Sequence, residues 1–190
     1  MSQQFTPRSE HLSRKKKLQR DSNKFRPKDW LQAIGIAILL SIIVRFVVFE
    51  PSVVLGPSME KTMVTGDLVM VNKLIYKIRD PKHGEIIVFH TDKQKDFIKR
   101  VIALPGETVE AKNNTVLVNG KAIDEPYLKN TQTLDFTPVT VPPKHVFVLG
   151  DNRTNSTDSR NKDVGPVSID KIVGRADFIY WPISHLQWIW

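Results

Sequence analysis

Residues 30–49, WLQAIGIAILLSIIVRFVVF, form a run of apolar and small side chains interrupted only by Gln32 and Arg45. As a helix, twenty such residues extend about 30 Å, the thickness of a bilayer's hydrocarbon core. Gln32 and Arg45 lie near the two ends, where long polar side chains reach the headgroups. Trp30 stands at the entry, where an amphipathic indole favours the interface. A cleaved secretory signal would place a small-x-small site after residues 33–44. Arg45-Phe46-Val47-Val48-Phe49-Glu50 stands there instead, which favours an uncleaved membrane anchor.

The charge pattern orients the anchor. Of the net charge of +8, residues 1–29 carry nine Lys/Arg against three Asp/Glu, leaving nineteen against seventeen in 30–190. The basic surplus therefore belongs to a leader, and a nucleic-acid-binding body is not indicated. Arg14-Lys15-Lys16-Lys17, Arg20, Lys24, Arg26 and Lys28 precede the apolar run and Glu50 follows it. Positive flanks stay inside, so the expectation is a cytoplasmic leader (1–29), a single-pass helix (30–49) and an extracytoplasmic body (50–190). With no cysteine in the chain, disulfides and thiol chemistry are excluded.

Beyond Pro51 the periodicity becomes that of short strands. Residues 68–71, 85–89, 97–104, 108–112, 115–118, 145–149, 169–173 and 176–181 are β-type runs bounded by turn residues. Asn113-Asn114 and Asn119-Gly120 each read as a hairpin turn. The fold predicted is mainly β: an antiparallel coiled sheet or partial barrel, with a smaller variable region at about 108–143. Residues 124–143, with four prolines, look irregular. The aromatic tail 181–190 is expected to pack on the body, with interfacial contact as the alternative.

Lys99 is the first candidate for chemistry. Strand alternation puts Phe97, Lys99, Val101 and Ala103 on one face of 97–104, so the amine is flanked by apolar side chains. Burial disfavours the ammonium and turns a lysine into a usable base near neutrality. Alone, the pattern equally suits an edge lysine whose stem covers apolar surface. Ser58, in Gly56-Pro57-Ser58-Met59, becomes a nucleophile only beside a base, and alone reads as a turn serine. The polar loop 150–160 (GDNRTNSTDSR) leaves the end of an apolar strand; there Asp158 could pair with Arg160 and Ser156 could orient a neutral amine. Arg153 and Lys162 occupy positions where a calcium loop needs oxygen ligands. The five histidines show no zinc spacing, although His90 or His145 could in principle serve Ser58.

Together these blocks resemble the bacterial type I signal peptidases, Ser/Lys enzymes that remove secretory signal peptides. The resemblance rests on Gly56-Pro57-Ser58-Met59, on Gly66-Asp67 with Val71-Asn72-Lys73, on residues 99–107 (KRVIALPGE) and on 150–160, in that order after an N-terminal anchor. It implies Ser58 as nucleophile and Lys99 as general base. Ser156 would hydrogen-bond the lysine amine, Asp158 and Arg160 would brace it, and Gly150 would permit close packing. Asp151, Arg153 and Arg100 would be supports. Gly56, where some relatives carry an oxyanion-donating serine, and Met59 would lie in the oxyanion vicinity. Glu60-Lys61-Thr62 departs from the family's usual x-Pro-Thr. The resemblance also implies an acyl-enzyme, cleavage after small residues, no metal or cofactor, and secretory preproteins as substrates. The bilayer and the export machinery would be neighbours in the bacterial cell membrane, in a single-anchor form like that of Gram-positive bacteria. A noncatalytic peptide-binding β domain and a self-cleaving Ser/Lys relative of the SOS repressors are the alternatives.

Overall fold

A computed structural model describes residues 27–91, 95–128 and 131–189, in two compact units that divide between residues 43 and 44. The basic leader, up to residue 26, and Trp190 lie outside the described residues. Helix α1 spans Pro27–Val48, with a mean hydropathy of 1.5 in its apolar window and none of that window buried. It starts ahead of the apolar run because Pro27 suits a first helical turn and Asp29 complements its free N–H groups.

The body is built from antiparallel strands. The larger sheet contains β1 (Phe49–Val53), β2 (Leu68–Asn72), β3 (Ile86–His90), β4 (Asp96–Ala103), β9 (His145–Leu149), β10 (Val167–Ser168), β11 (Ile172–Trp181) and β12 (Gln187–Trp188). Its order is β1-β2-β11-β3-β4-β9-β10, with β12 paired to β11. The smaller sheet, ordered β7-β6-β5-β8, comprises β5 (Thr108–Lys112), β6 (Thr115–Val118), β7 (Lys121–Ala122) and β8 (Phe136–Thr140). These are open sheets rather than a closed barrel, as the strand pattern implied. A one-turn helix, α2 (Ile75–Ile78), follows β2.

Both hairpin turns form where the sequence placed them. Asn113 and Asn114 have φ of 50° and 63°, and Asn119 and Gly120 have 51° and 76°. These left-handed values match the twist of two-residue hairpins.

Three segments differ from expectation. Residues 169–171 are a 3-10 turn, and β11 then runs unbroken from Ile172 to Trp181. Its irregular register lets one strand serve β3 and then β2. The proline-rich stretch 124–143 contains β8, and the run after the helix begins at once with β1. Pro138 and Pro51 masked these strands in the sequence. Both strands close one edge of a sheet, where a missing N–H removes no inner ladder bond.

β3 explains why its residues read as a continuous apolar run. Ile86 and Val88 enter one core with Met59, Met63, Val69, Val71, Ile98 and Ile179, whereas Ile87 and Phe89 enter another with Val101, Val146 and Val148. A third core, with Ile102, Phe147 and Leu149, joins the two sheets. In the aromatic tail Ile189 is buried and Trp188 lies 5.0 Å from Phe178. Trp181, Ile183, Leu186 and Trp188 remain exposed, so packing on the body accounts for only part of the tail.

Two observations make the architecture testable. A Cβ on Gly174 would sit 2.4 Å from the Asn72 carbonyl oxygen, a backbone atom that cannot step aside. Gly174→Ala is expected to destabilise the protein by about 1–3 kcal/mol, read as a lowered thermal midpoint in detergent. Burial pushes the Glu85 carboxyl up, but hydrogen bonds from Arg79, the Lys82 N–H, Arg175 and Tyr76 hold it below its ordinary value of 4.5. A depressed carboxyl stabilises the fold above its unfolded pKa and loses that contribution as pH falls through its folded one. Glu85→Gln is therefore expected to lower stability above pH 4.5 and to flatten the acid limb of a stability–pH curve.

Candidate active site

Ser58 sits in the loop between β1 and β2, on a turn closed by the Glu60 N–H donating to the Pro57 carbonyl at 3.0 Å. Gly56 precedes it with φ of +87°, a value that favours glycine. Met59 follows and is buried in the first core, which pins the turn to the sheet. A buried anchor next to an accessible hydroxyl holds that hydroxyl in one place.

Lys99 comes from β4, between β3 and β9, and is 3% exposed. Its Nζ lies 2.8 Å from Ser58 Oγ and donates to the Ile98 carbonyl at 3.0 Å. The Phe97 ring walls the amine, with its centroid 4.9 Å away. Burial lowers the Lys99 pKa from 10.5 to about 8, against the opposing pull of the Asp158 and Asp151 carboxylates. The amine is thus neutral in a substantial fraction of molecules near pH 8, and a neutral amine can accept a hydroxyl proton.

β9 runs beside β4 and delivers loop 150–160 to the same place. Asp158 is fully buried and accepts from Arg160 Nε and Nη2, both at 2.8 Å, and from the Gly150 N–H at 3.1 Å. Asp151 is likewise buried and accepts from Arg100 Nε at 2.9 Å and Nη2 at 2.7 Å. Each carboxylate near the lysine is therefore occupied by a guanidinium in a two-bonded fork. Arg153 donates to the Gly150 carbonyl, to Thr133 and to Glu125, tying the loop to the strand-poor stretch before β8. A Cβ on Gly150 would lie 2.4 Å from the Ser58 carbonyl oxygen and 2.2 Å from Ser156 Oγ, so only glycine fits at this crossing.

Ser156 departs from what the resemblance implied. Its Oγ is buried but makes no hydrogen bond to Lys99 or to any other described group. The lysine amine already has Ser58 and Ile98 as partners, and the Ser156 hydroxyl packs against Gly150 instead. The two histidines considered for Ser58 have other partners: His90 Nδ1 pairs with Asp96 and His145 Nδ1 with the Pro143 carbonyl.

Sequence reasoning singled out neither Thr62 nor Asn152. Thr62 Oγ1 donates to Asp151 and accepts from Arg100 Nη2, and the Thr62 carbonyl accepts from Gln187 of the C-terminal tail. Asn152 contacts Pro57, Ser58 and Glu60. The quoted blocks contained both residues, but a lone polar side chain carries no mark of its partner. Lys61 has φ of +97°, a value closed to proline.

Comparison with known proteins bears on the family of the chain. The model of the family described as "Signal peptidase, peptidase S26" matches residues 27–181. Signal peptidase I T of Bacillus subtilis (strain 168) is 40% identical over 170 residues, covering 84% of this chain and 88% of the relative. Signal peptidase I of Bacillus caldolyticus is 45% identical over 174 residues, covering 84% and 93%. The crystal structure of a signal peptidase I from Enterococcus faecalis V583 is 37% identical and covers 52% of this chain and 97% of that one, with a TM-score of 0.46. With most of its length matched at this identity, and a serine and lysine in hydrogen-bonding contact, the chain belongs to the S26 family of signal peptidases.

Proposed function

We propose that Ser58 is the nucleophile and Lys99 the general base of this peptidase. As a signal peptidase I the protein is a serine endopeptidase, a hydrolase that removes signal peptides from secreted preproteins. The observation that carries the residue assignment is the 2.8 Å contact between Ser58 Oγ and a buried amine whose pKa has dropped to about 8.

Neutral Lys99 takes the Ser58 proton as Oγ attacks the carbonyl at the end of the signal peptide. The resulting oxyanion is met by backbone donors, the Ser58 N–H among them, since Gly56 offers no hydroxyl. Collapse breaks the C–N bond, and the mature protein leaves as an amine with the proton held by Lys99. The signal peptide remains as an ester on Ser58. Lys99, neutral again, takes a proton from water as the hydroxide adds to the ester. The C–O bond to Ser58 then breaks, Lys99 returns the proton to Ser58 Oγ, and the signal peptide leaves as a carboxylic acid.

The substrate lies along β4. Val101 exchanges backbone hydrogen bonds with Gly84 and Glu85, so the odd-numbered residues of the strand face β3. Asp96 and Ile98 face the other side, where β9 pairs only from Arg100 onward. An extended peptide can add there as a further strand and present alternate side chains to shallow pockets, which favours small residues before the cleaved bond. Helix α1 anchors the enzyme with residues 1–29 in the cytoplasm and the catalytic body, 50–190, outside. Enzyme and preprotein then share one surface, which raises their effective concentration.

Ser58→Ala and Lys99→Ala are each expected to lower preprotein processing by about 10³-fold or more, measured by mass spectrometry of the new N-terminus. Lys99→Arg should be as inactive, because a guanidinium stays protonated. Normal turnover by any of the three would exclude the mechanism. Because the free base is the active form, kcat/KM should rise with pH to a plateau through an apparent pKa of about 8. Below that value it should fall about tenfold per pH unit.

A further inference from the structure

We propose that Asn152 is a positioning residue that sets the direction of the Ser58 N–H, and with it the oxyanion donor. The inference rests on Ser58 being the nucleophile and goes beyond that assignment.

Asn152 grips both peptide planes that flank Ser58. Its Nδ2 donates to the Pro57 carbonyl at 3.1 Å, and its backbone N–H donates to the Ser58 carbonyl at 3.0 Å. The Pro57 C=O and the Ser58 N–H are opposite ends of one planar trans peptide, so they point in opposite directions. Holding the oxygen therefore aims the hydrogen. The turn's own Glu60 N–H also reaches the Pro57 oxygen, but it moves with the turn. Asn152 is the outside reference, carried on the loop that Asp151 and Arg100 lock to β4.

The side-chain amide is itself oriented. Nδ2 also donates to Glu60 Oε2 at 3.0 Å, and Oδ1 accepts from Thr154 Oγ1 at 3.3 Å. The glycine at 150 lets this loop lie against the Ser58 carbonyl, where a side chain would push it away. An oxyanion donor works only when it stands about 2.7–3.1 Å from the developing charge. With no hydroxyl at Gly56 to share the charge, this chain relies on backbone donors, and the angle of the Ser58 peptide matters correspondingly more.

The test is steady-state processing of a preprotein by the full-length, detergent-solubilised enzyme and its variants. Asn152→Ala is expected to lower kcat about 10- to 100-fold while KM stays within about twofold. The acid limb near pH 8 and the thermal midpoint should not move, because Lys99 and the backbone N–H of residue 152 are untouched. Asn152→Asp should be slower still, since a carboxylate would face the Pro57 oxygen and the Glu60 carboxylate. Glu60→Gln, which keeps a side-chain oxygen to accept from Nδ2 while removing the charge, is the reference for the double variant. Combining it with Asn152→Asp restores a side-chain pair but no donor to Pro57, so the double variant should stay slow.

Wild-type kcat in Asn152→Ala, a loss confined to KM, a shifted acid limb or a midpoint that falls with activity would each overturn the proposal. So would recovery in the double variant, which would trace the effect to Glu60. Activity retained by Ser58→Ala, measured alongside, would instead overturn the nucleophile assignment itself.

Discussion

The structure turns on one amine kept out of water beside one hydroxyl. Burying an ammonium is unfavourable, and the fall of the Lys99 pKa to about 8 measures that disfavour. Two buried carboxylates, Asp158 and Asp151, pull the other way without overcoming it. Arg160 and Arg100 occupy them with paired hydrogen bonds, so both buried carboxylates are satisfied by partners other than the lysine.

This arrangement depends on sheet order more than on any local motif. β4 lies between β3 and β9, and the loop leaving β9 returns to the carbonyl of Ser58. Ser58 arrives on a separate loop that Met59 fastens into the first core. Gly150 is where these two loops cross most closely. Three segments distant in sequence are therefore held to within a hydrogen bond of one another by packing that is mostly apolar. The smaller sheet joins in through Arg153, whose guanidinium links loop 150–160 to Glu125 and Thr133. Tyr127 stacks on Arg100 from the same side, its ring centroid 3.9 Å from the guanidinium carbon.

Local features were legible because their causes are local. The apolar run predicted α1, the paired asparagines predicted the hairpins, and the β-rich runs predicted most strands within a few residues. β1 and β8 were hidden because proline argues against a strand until its edge position is known. At the site, residue types and their order pointed to Ser58, Lys99, Asp158 and Arg160. The bond expected from Ser156 to the lysine is absent, because the amine satisfies itself on Ser58 and the strand's own carbonyl. Thr62 and Asn152 went unnoticed because what distinguishes them is the partner they meet across about ninety positions of chain.

The sequence alone determined a long apolar helix, a basic leader, a β-rich body without cysteine and a family membership carried by short blocks. Those properties follow from side-chain periodicity, charge and identity, which need no third dimension. Only the tertiary structure decided that the Lys99 amine meets Ser58 and that Asp151 and Asp158 are neutralised by arginine. It also decided that the Ser58 peptide is held from both sides. Burial and hydrogen bonding between distant segments depend on how strands are ordered and how closely backbones approach, and neither is written in the spacing of residues along the chain.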